Sequence, residues 1–382
     1  MPLMILASPF RVFFLSLALW AVIGVLLWMP QIMGLWQLPL ALDPLAWHRH
    51  EMLFGFLSPA IAGFLLTAVC VWTDTERLHG SPLLALSLVW LAGRLLMLLG
   101  AGLSDVLVIA VNLLFLPLVM LDAGWRIWRA RQKRHVIVLV AVDAIWLAQA
   151  AFLLLNPVTA VPAALVGAAS LMLVIGGRIT PAFSAGWMRM HGGDPSQIRI
   201  YPWLETVTVG SLLALFALTL IGAGSVWIIA VALLAALASG GRLLAWRGWL
   251  VRAEPLLWIL HVSLLWIPIA LLLLAGAEAG WWPATVWYHA LGIGAMGGLI
   301  LGVISRVSLG HAGRPLVLPQ GMVAAFVLIH AGALVRVITA LGGLPWQAGV
   351  SATALLWTFA FVLFLWRYAF ILTTPRADGK PG

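Results

Sequence analysis

Six consecutive residues, Trp47-His48-Arg49-His50-Glu51-Met52, put two imidazoles and a carboxylate at the start of a long apolar run. Neutral imidazole is a common ligand for transition metals and the usual axial ligand of haem iron, provided a partner on its other nitrogen fixes the tautomer. Glu51 or a backbone carbonyl can be that partner. His289 opens a second apolar run, so His48, His50 and His289 form a set of imidazoles able to converge on a metal from two helices. Residues two apart on a continuous helix point about 200° from each other, so His48 and His50 reach one centre only if the helix starts between them. The plainer alternative is an interfacial cap, in which Asp43 and Pro44 end a loop, Trp47 anchors in the headgroups and the histidines sit in water.

Four further residues lie inside apolar runs, where ionisable groups are expensive unless paired, liganded or lining a cavity. His261 and His330 are candidates for metal or haem ligation, or for interhelical hydrogen bonds. Arg94 and Arg336 need anions, and haem propionates would suit a guanidinium that pairs with carboxylates through two parallel hydrogen bonds. The runs after His50 and His289 carry small residues: Gly55, Ser58, Ala62 and Gly63 in one, Gly292, Gly294, Gly297, Gly298 and Gly302 in the other. Such faces either let helices approach closely or leave room for a flat macrocycle. His79, His135, His191 and His311 fall at or beyond helix ends and read as solvated or headgroup residues.

The setting for these groups is a membrane. With 64% hydrophobic and 9% charged residues in 382, the chain lacks the polar residues to cover a water-soluble surface. The net charge of +9 falls between apolar runs, where it orients helices rather than binding nucleic acid. The single cysteine, Cys70, excludes an intrachain disulfide and a Cys-x-x-Cys-His haem attachment, so any haem would be held non-covalently. Apolar stretches of roughly 20 residues, enough to cross about 30 Å of hydrocarbon, are predicted at 10–29, 51–72, 82–102, 105–128, 135–155, 158–177, 202–222, 225–246, 254–276, 284–305, 318–341 and 347–372. The first reads as a span rather than a removed signal. Backbone groups in lipid must pair internally, so the class is all-α: about twelve transmembrane helices in one domain over 1–376, with a short tail at 377–382.

With both termini cytoplasmic, all but Arg49, Arg94 and Arg336 of the 21 basic residues fall inside. Gly-Gly-Arg178, Gly-Gly-Arg242 and Ser-Arg306 recur at a 64-residue spacing. They suggest a helical-hairpin repeat, or simply a common way to end a helix at the cytoplasmic face. No Walker loop or dinucleotide fingerprint is present. The longest non-spanning stretch, about 178–201, leaves no room for a soluble catalytic domain.

The segment Trp47 to Phe56 followed by Ile61 to Val69, together with His289-Ala290-Leu291 leading through Gly294-Ala295-Met296-Gly297 to Leu301-Gly302-Val303-Ile304-Ser305-Arg306-Val307 and Leu309 to Arg314, resembles the signature of the NnrS family of bacterial membrane proteins. The resemblance implies a twelve-span inner-membrane protein containing haem and copper, linked to denitrification and to tolerance of nitric oxide. Arg49 stands where the family typically has a small residue, and Cys70-Val71 where it has Pro-Asn. A different reading of the same layout is a secondary transporter that uses Arg94 and Arg336 to bind a small anionic substrate. A third is an assembly factor for a respiratory complex.

Overall fold

The computed structural model describes residues 4–380. Among them no strand occurs, and twelve helices are long and apolar enough to cross a membrane. They are α1 (Pro9–Ile32), α2 (Pro44–Thr73), α3 (Gly80–Leu99), α4 (Asp105–Arg129), α5 (Lys133–Leu154), α6 (Pro157–Met190), α7 (Pro202–Leu220), α8 (Ser225–Trp246), α9 (Pro255–Glu278), α10 (Thr285–His311), α11 (Met322–Ala340) and α12 (Trp346–Thr373).

Two compact units divide the chain. The first holds Met1–Val161, Ile304–Met322 and Thr358–Gly382, and the second Pro162–Val303 and Val323–Trp357. In the first, α2 packs between α1 and α4, and α4 lies against α3 and α5. In the second, α8 packs against α7 and α9, and α9 lies against α10.

Glycines set the closest approaches. Along α1 and α2, running antiparallel, Phe13 and Phe14 pack on Gly63 while Met52 reaches Gly24. Along α9 and α10, Ile259, Ser263 and Trp266 meet Gly302, Gly298 and Gly294 in order, a four-residue rhythm of small positions. Trp357 fills the ground over Gly297. The small faces are therefore filled mainly by neighbouring side chains. Gly292 is the exception on α10, because a Cβ there would meet nothing within 4 Å.

Two expectations about helix ends change. Gly-Gly-Arg178, Gly-Gly-Arg242 and Ser-Arg306 do not terminate their helices, which continue to Met190, Trp246 and His311. At Gly177 a Cβ would fall on the Arg242 guanidinium, so this glycine makes room for a cation rather than a stop. Arg242 is buried and pairs in two-pronged fashion with Glu205, at 2.7 Å from Nε and 2.5 Å from NH2. The helix also starts earlier than expected in the second span: Asp43 caps it by accepting from the Leu45 and Ala46 amides, and Pro44 takes the first position, where its missing N–H is harmless.

Both α2 and α10 widen into a π-helical stretch, at Glu51–Gly55 and Ala290–Gly297, each immediately after a histidine. In α2 the cause is Pro59. It has no N–H for the carbonyl of Gly55 and its ring crowds that carbonyl, so Phe56 bonds back to Glu51 at 2.7 Å and Gly55 accepts instead from the Trp90 indole at 3.1 Å. In α10 the stretch coincides with Gly292, Gly294 and Gly297, whose weak helix preference lowers the cost of leaving α geometry.

The glycine packing gives a paired test. Gly294→Ala drives a Cβ to 2.4 Å from the rigid Trp266 ring. It should destabilise the detergent-solubilised protein by about 1–3 kcal/mol, the usual penalty for overpacking. Gly292→Ala should be neutral or slightly stabilising. Equal thermal unfolding midpoints for the two variants would contradict this account of α10.

Candidate functional site

In the first unit, four spans bring ionisable and amide side chains together in an otherwise apolar interior. His50 and Glu51 come from α2, Arg94 from α3, Asn112 from α4 and Gln149 from α5. All are buried, and His50 and Glu51 are 0% exposed. Arg94 donates from NH2 to Asn112 Oδ1 at 2.5 Å, and its NH1 lies 3.4 Å from Glu51 Oε2. Asn112 is itself fixed by donating to the Val108 carbonyl at 2.9 Å. Gly55 is required beneath this pair, since a Cβ would collide with both the guanidinium and the Glu51 carboxylate.

Glu51 also orients His50. A carboxylate can only accept, so the 2.8 Å contact between His50 Nδ1 and Glu51 Oε1 places the proton on Nδ1 and the lone pair on Nε2. Gln149 Nε2 lies 3.3 Å from that Nε2 and donates towards it, while also reaching the Asn112 carbonyl at 3.3 Å. An imidazole with a carboxylate on Nδ1 and its lone pair on Nε2 is the arrangement metal-ligating histidines use. Beside it, Ser58, Trp90, Arg94, Asn112 and Gln149 line a cavity of about 10 Å³, room for about one water molecule and far too small for a porphyrin.

His48 faces elsewhere. Both histidines sit on one continuous helix, so the condition for their convergence is not met. The His48 ring stacks on Trp28 with centroids 3.9 Å apart. Trp47 is no headgroup anchor either: it is fully buried and meets Trp20 edge-on at 6.4 Å.

The second unit holds the other three candidate histidines. His289 is half-buried, and its Nδ1 donates to the Thr285 carbonyl at 2.7 Å, which again leaves Nε2 as the lone-pair nitrogen. His330 has the opposite tautomer. The Trp266 indole can only donate, so the 3.2 Å bond from its Nε1 makes His330 Nδ1 the acceptor and puts the proton on Nε2. A neutral imidazole of that tautomer has no lone pair on Nε2 for a metal. His261 Nε2 lies 3.0 Å from Ser184 Oγ. Both His261 and His330 thus make the interhelical hydrogen bonds weighed from the sequence.

Of the two arginines, Arg94 finds its anion inside the protein, and Glu51 is at once its counter-ion and the orienter of His50. Arg336 is half-buried on α11 and makes no ion pair among the described residues. Among the described residues no three His, Cys, Asp or Glu side chains are grouped to hold a metal ion. Sequence reasoning missed Asn112 and Gln149, although each is a lone amide within an apolar run, a signal of the same kind as the arginines.

Twelve apolar helices enclosing buried ion pairs define a polytopic helical membrane protein. Within that class the chain belongs to the NnrS family, whose model, described as NnrS protein, matches residues 4–376. No curated protein matches the chain.

Breaking the Glu51–Arg94 pair from one side should be costly. Glu51→Gln leaves a buried guanidinium without its counter-charge and should destabilise the protein by about 3–5 kcal/mol, whereas Glu51→Gln combined with Arg94→Met should recover much of that loss. Thermal unfolding of the single and double variants in detergent checks it, and additive losses would contradict the pairing.

Proposed function

We propose that this protein is a haem-carrying member of its family, held in the bacterial inner membrane, that handles nitric oxide in the context of denitrification and nitrosative stress. The observation that carries the reading is the shared tautomer of His50 and His289. Each has Nδ1 held by an acceptor and Nε2 bearing the lone pair, and each stands at the head of a π-helical stretch. Such turns recur at functional sites. Family membership supports it independently.

Of the two, His289 is the imidazole that would hold the haem, because His50 is fully enclosed beside a cavity with room for about one water. Gly292, three residues beyond His289, keeps the neighbouring helix face open. A haem there would supply a redox-active iron able to take a diatomic gas. The chain supplies the rest: Thr285 and Glu51 fix the imidazole tautomers, and the apolar spans exclude water while admitting a gas that dissolves in lipid. Copper is implied by the family resemblance, but the described residues contain no three-ligand group, so no copper ligand set is assigned. Transport of a small anion ranks second. With Arg94 neutralised by Glu51, that reading rests on Arg336 alone.

Purified protein expressed with ample haem should show a Soret band that shifts on dithionite reduction, at near one iron per chain. His289→Ala should remove or shift that band in protein that remains monodisperse, while His330→Ala should leave it unchanged. A flat spectrum in the parent protein, or full and unshifted haem in His289→Ala, would sink the proposal.

A further inference from the structure

A second buried polar cluster lies in the first unit, at the ends of spans far along the chain from the His50 box. Ser8 and Arg11, three residues apart at the start of α1, are both 0% exposed. Ser8 occupies the cap position of the helix, yet its hydroxyl makes no capping bond and has no other partner. Arg11 gives NH1 to the carbonyls of Ile371, Leu372 and Thr374 at the end of α12, at 3.3, 3.0 and 2.6 Å. Its Nε and NH2 have no partner.

The end of α10 meets the same place. Phe10 packs against the His311 ring with centroids 5.6 Å apart, and Arg376 donates to the His311 carbonyl at 2.8 Å. Ser308, one turn before His311, is 0% exposed with an unpartnered hydroxyl. The charged groups within electrostatic reach of Arg11 are Arg376 and Arg77, and the same two act on His311. The acid at hand, Asp378, is committed: Arg376 grips it at 2.9 and 2.6 Å and holds its carboxyl down to about 2. Gly313, at φ +66°, permits the close approach of this carboxylate.

Cations therefore outnumber anions around a set of buried donors that the protein leaves unsatisfied, and such donors are costly unless something accepts from them. The need is for an anion with several acceptor oxygens. We propose that Ser8, Arg11 and Ser308, backed by Arg77 and Arg376, bind a phosphate group. Twelve consecutive spans place the start of α1 and the ends of α2, α10 and α12 on one membrane face. The positive-inside rule makes that face cytoplasmic, where phosphates occur both as anionic lipid headgroups and free in solution.

The test uses the full chain, stripped of lipid in neutral detergent. Native mass spectrometry reads retention of phosphatidylglycerol against phosphatidylcholine, and thermal unfolding reads inorganic phosphate against chloride at matched ionic strength. Selective retention of phosphatidylglycerol with no phosphate effect identifies a lipid headgroup, and stabilisation by inorganic phosphate identifies a free anion. Either outcome supports the site. Ser8→Ala with Ser308→Ala removes hydroxyls that make no bond within the protein, so it should fold normally while weakening binding about tenfold or more, the loss expected for hydrogen bonds to a charged group. Arg77→Gln should do the same, and Arg252→Gln, an exposed cation on the other unit, should not. No selectivity for either phosphate probe, or wild-type binding in the serine double variant, would overturn the proposal.

Discussion

The contact between Glu51 and Arg94 is the constraint around which the first unit is arranged. Two opposite charges in an apolar interior are tolerable only as a pair, because desolvation of either alone exceeds what isolated helix packing returns. The surrounding sequence serves that requirement. Gly55 clears the ground for both side chains, Asn112 takes the second guanidinium nitrogen, and Gln149 closes the far side of His50. The π-turn belongs to the same arrangement. Neighbouring residues on an α-helix diverge, yet His50 and Glu51 bond to each other at the junction where the turn widens.

Pro59 is the local origin of that turn, and it shows how one backbone defect is passed along the structure. The missing amide frees a carbonyl, the Trp90 indole satisfies it, and Trp90 stands one helical turn before Arg94, whose guanidinium lies 5.9 Å from the indole ring. The indole that repairs the backbone thus also flanks the cation. A histidine beside such a site is fixed in one tautomer, so its chemistry is decided by partners on four different spans. His330 shows the converse: a tryptophan donor in place of a carboxylate or carbonyl acceptor reverses which nitrogen carries the lone pair.

Hydropathy and length made the spans readable from the sequence, because a backbone in lipid has little choice but helix. The exceptional status of Arg94 and of the histidine box was readable too, since charges stand out in apolar runs. Pairings between spans were not. Nothing local distinguishes Glu51 as a partner for Arg94, forty-three positions away in the numbering, from Glu51 as a partner for a metal-bound imidazole, and it proves to serve Arg94 and His50 together. Glycine was misread for a related reason. Gly176-Gly177-Arg178 looks like a helix stop, but a glycine that admits the Arg242 side chain and a glycine that ends a helix are the same letter. Trp246 sits near the end of the span that carries Arg242, yet it is buried, with the Arg242 guanidinium 5.0 Å from its ring.

Ion pairs of different design answer the same problem in the two units. Arg94 is almost fully enclosed, shares its carboxylate with a histidine and gives a single hydrogen bond, to an amide. Arg242 has Glu205 to itself in two-pronged geometry, with that carboxylate partly exposed, and leans on Trp246. The first arrangement ties charge balance to the state of an imidazole, since any change at His50 alters the acceptor that also balances Arg94. The second has no such link and reads as structure alone. That difference, more than the depth of either charge, separates the two clusters: one couples a cation to an imidazole, the other only to a carboxylate.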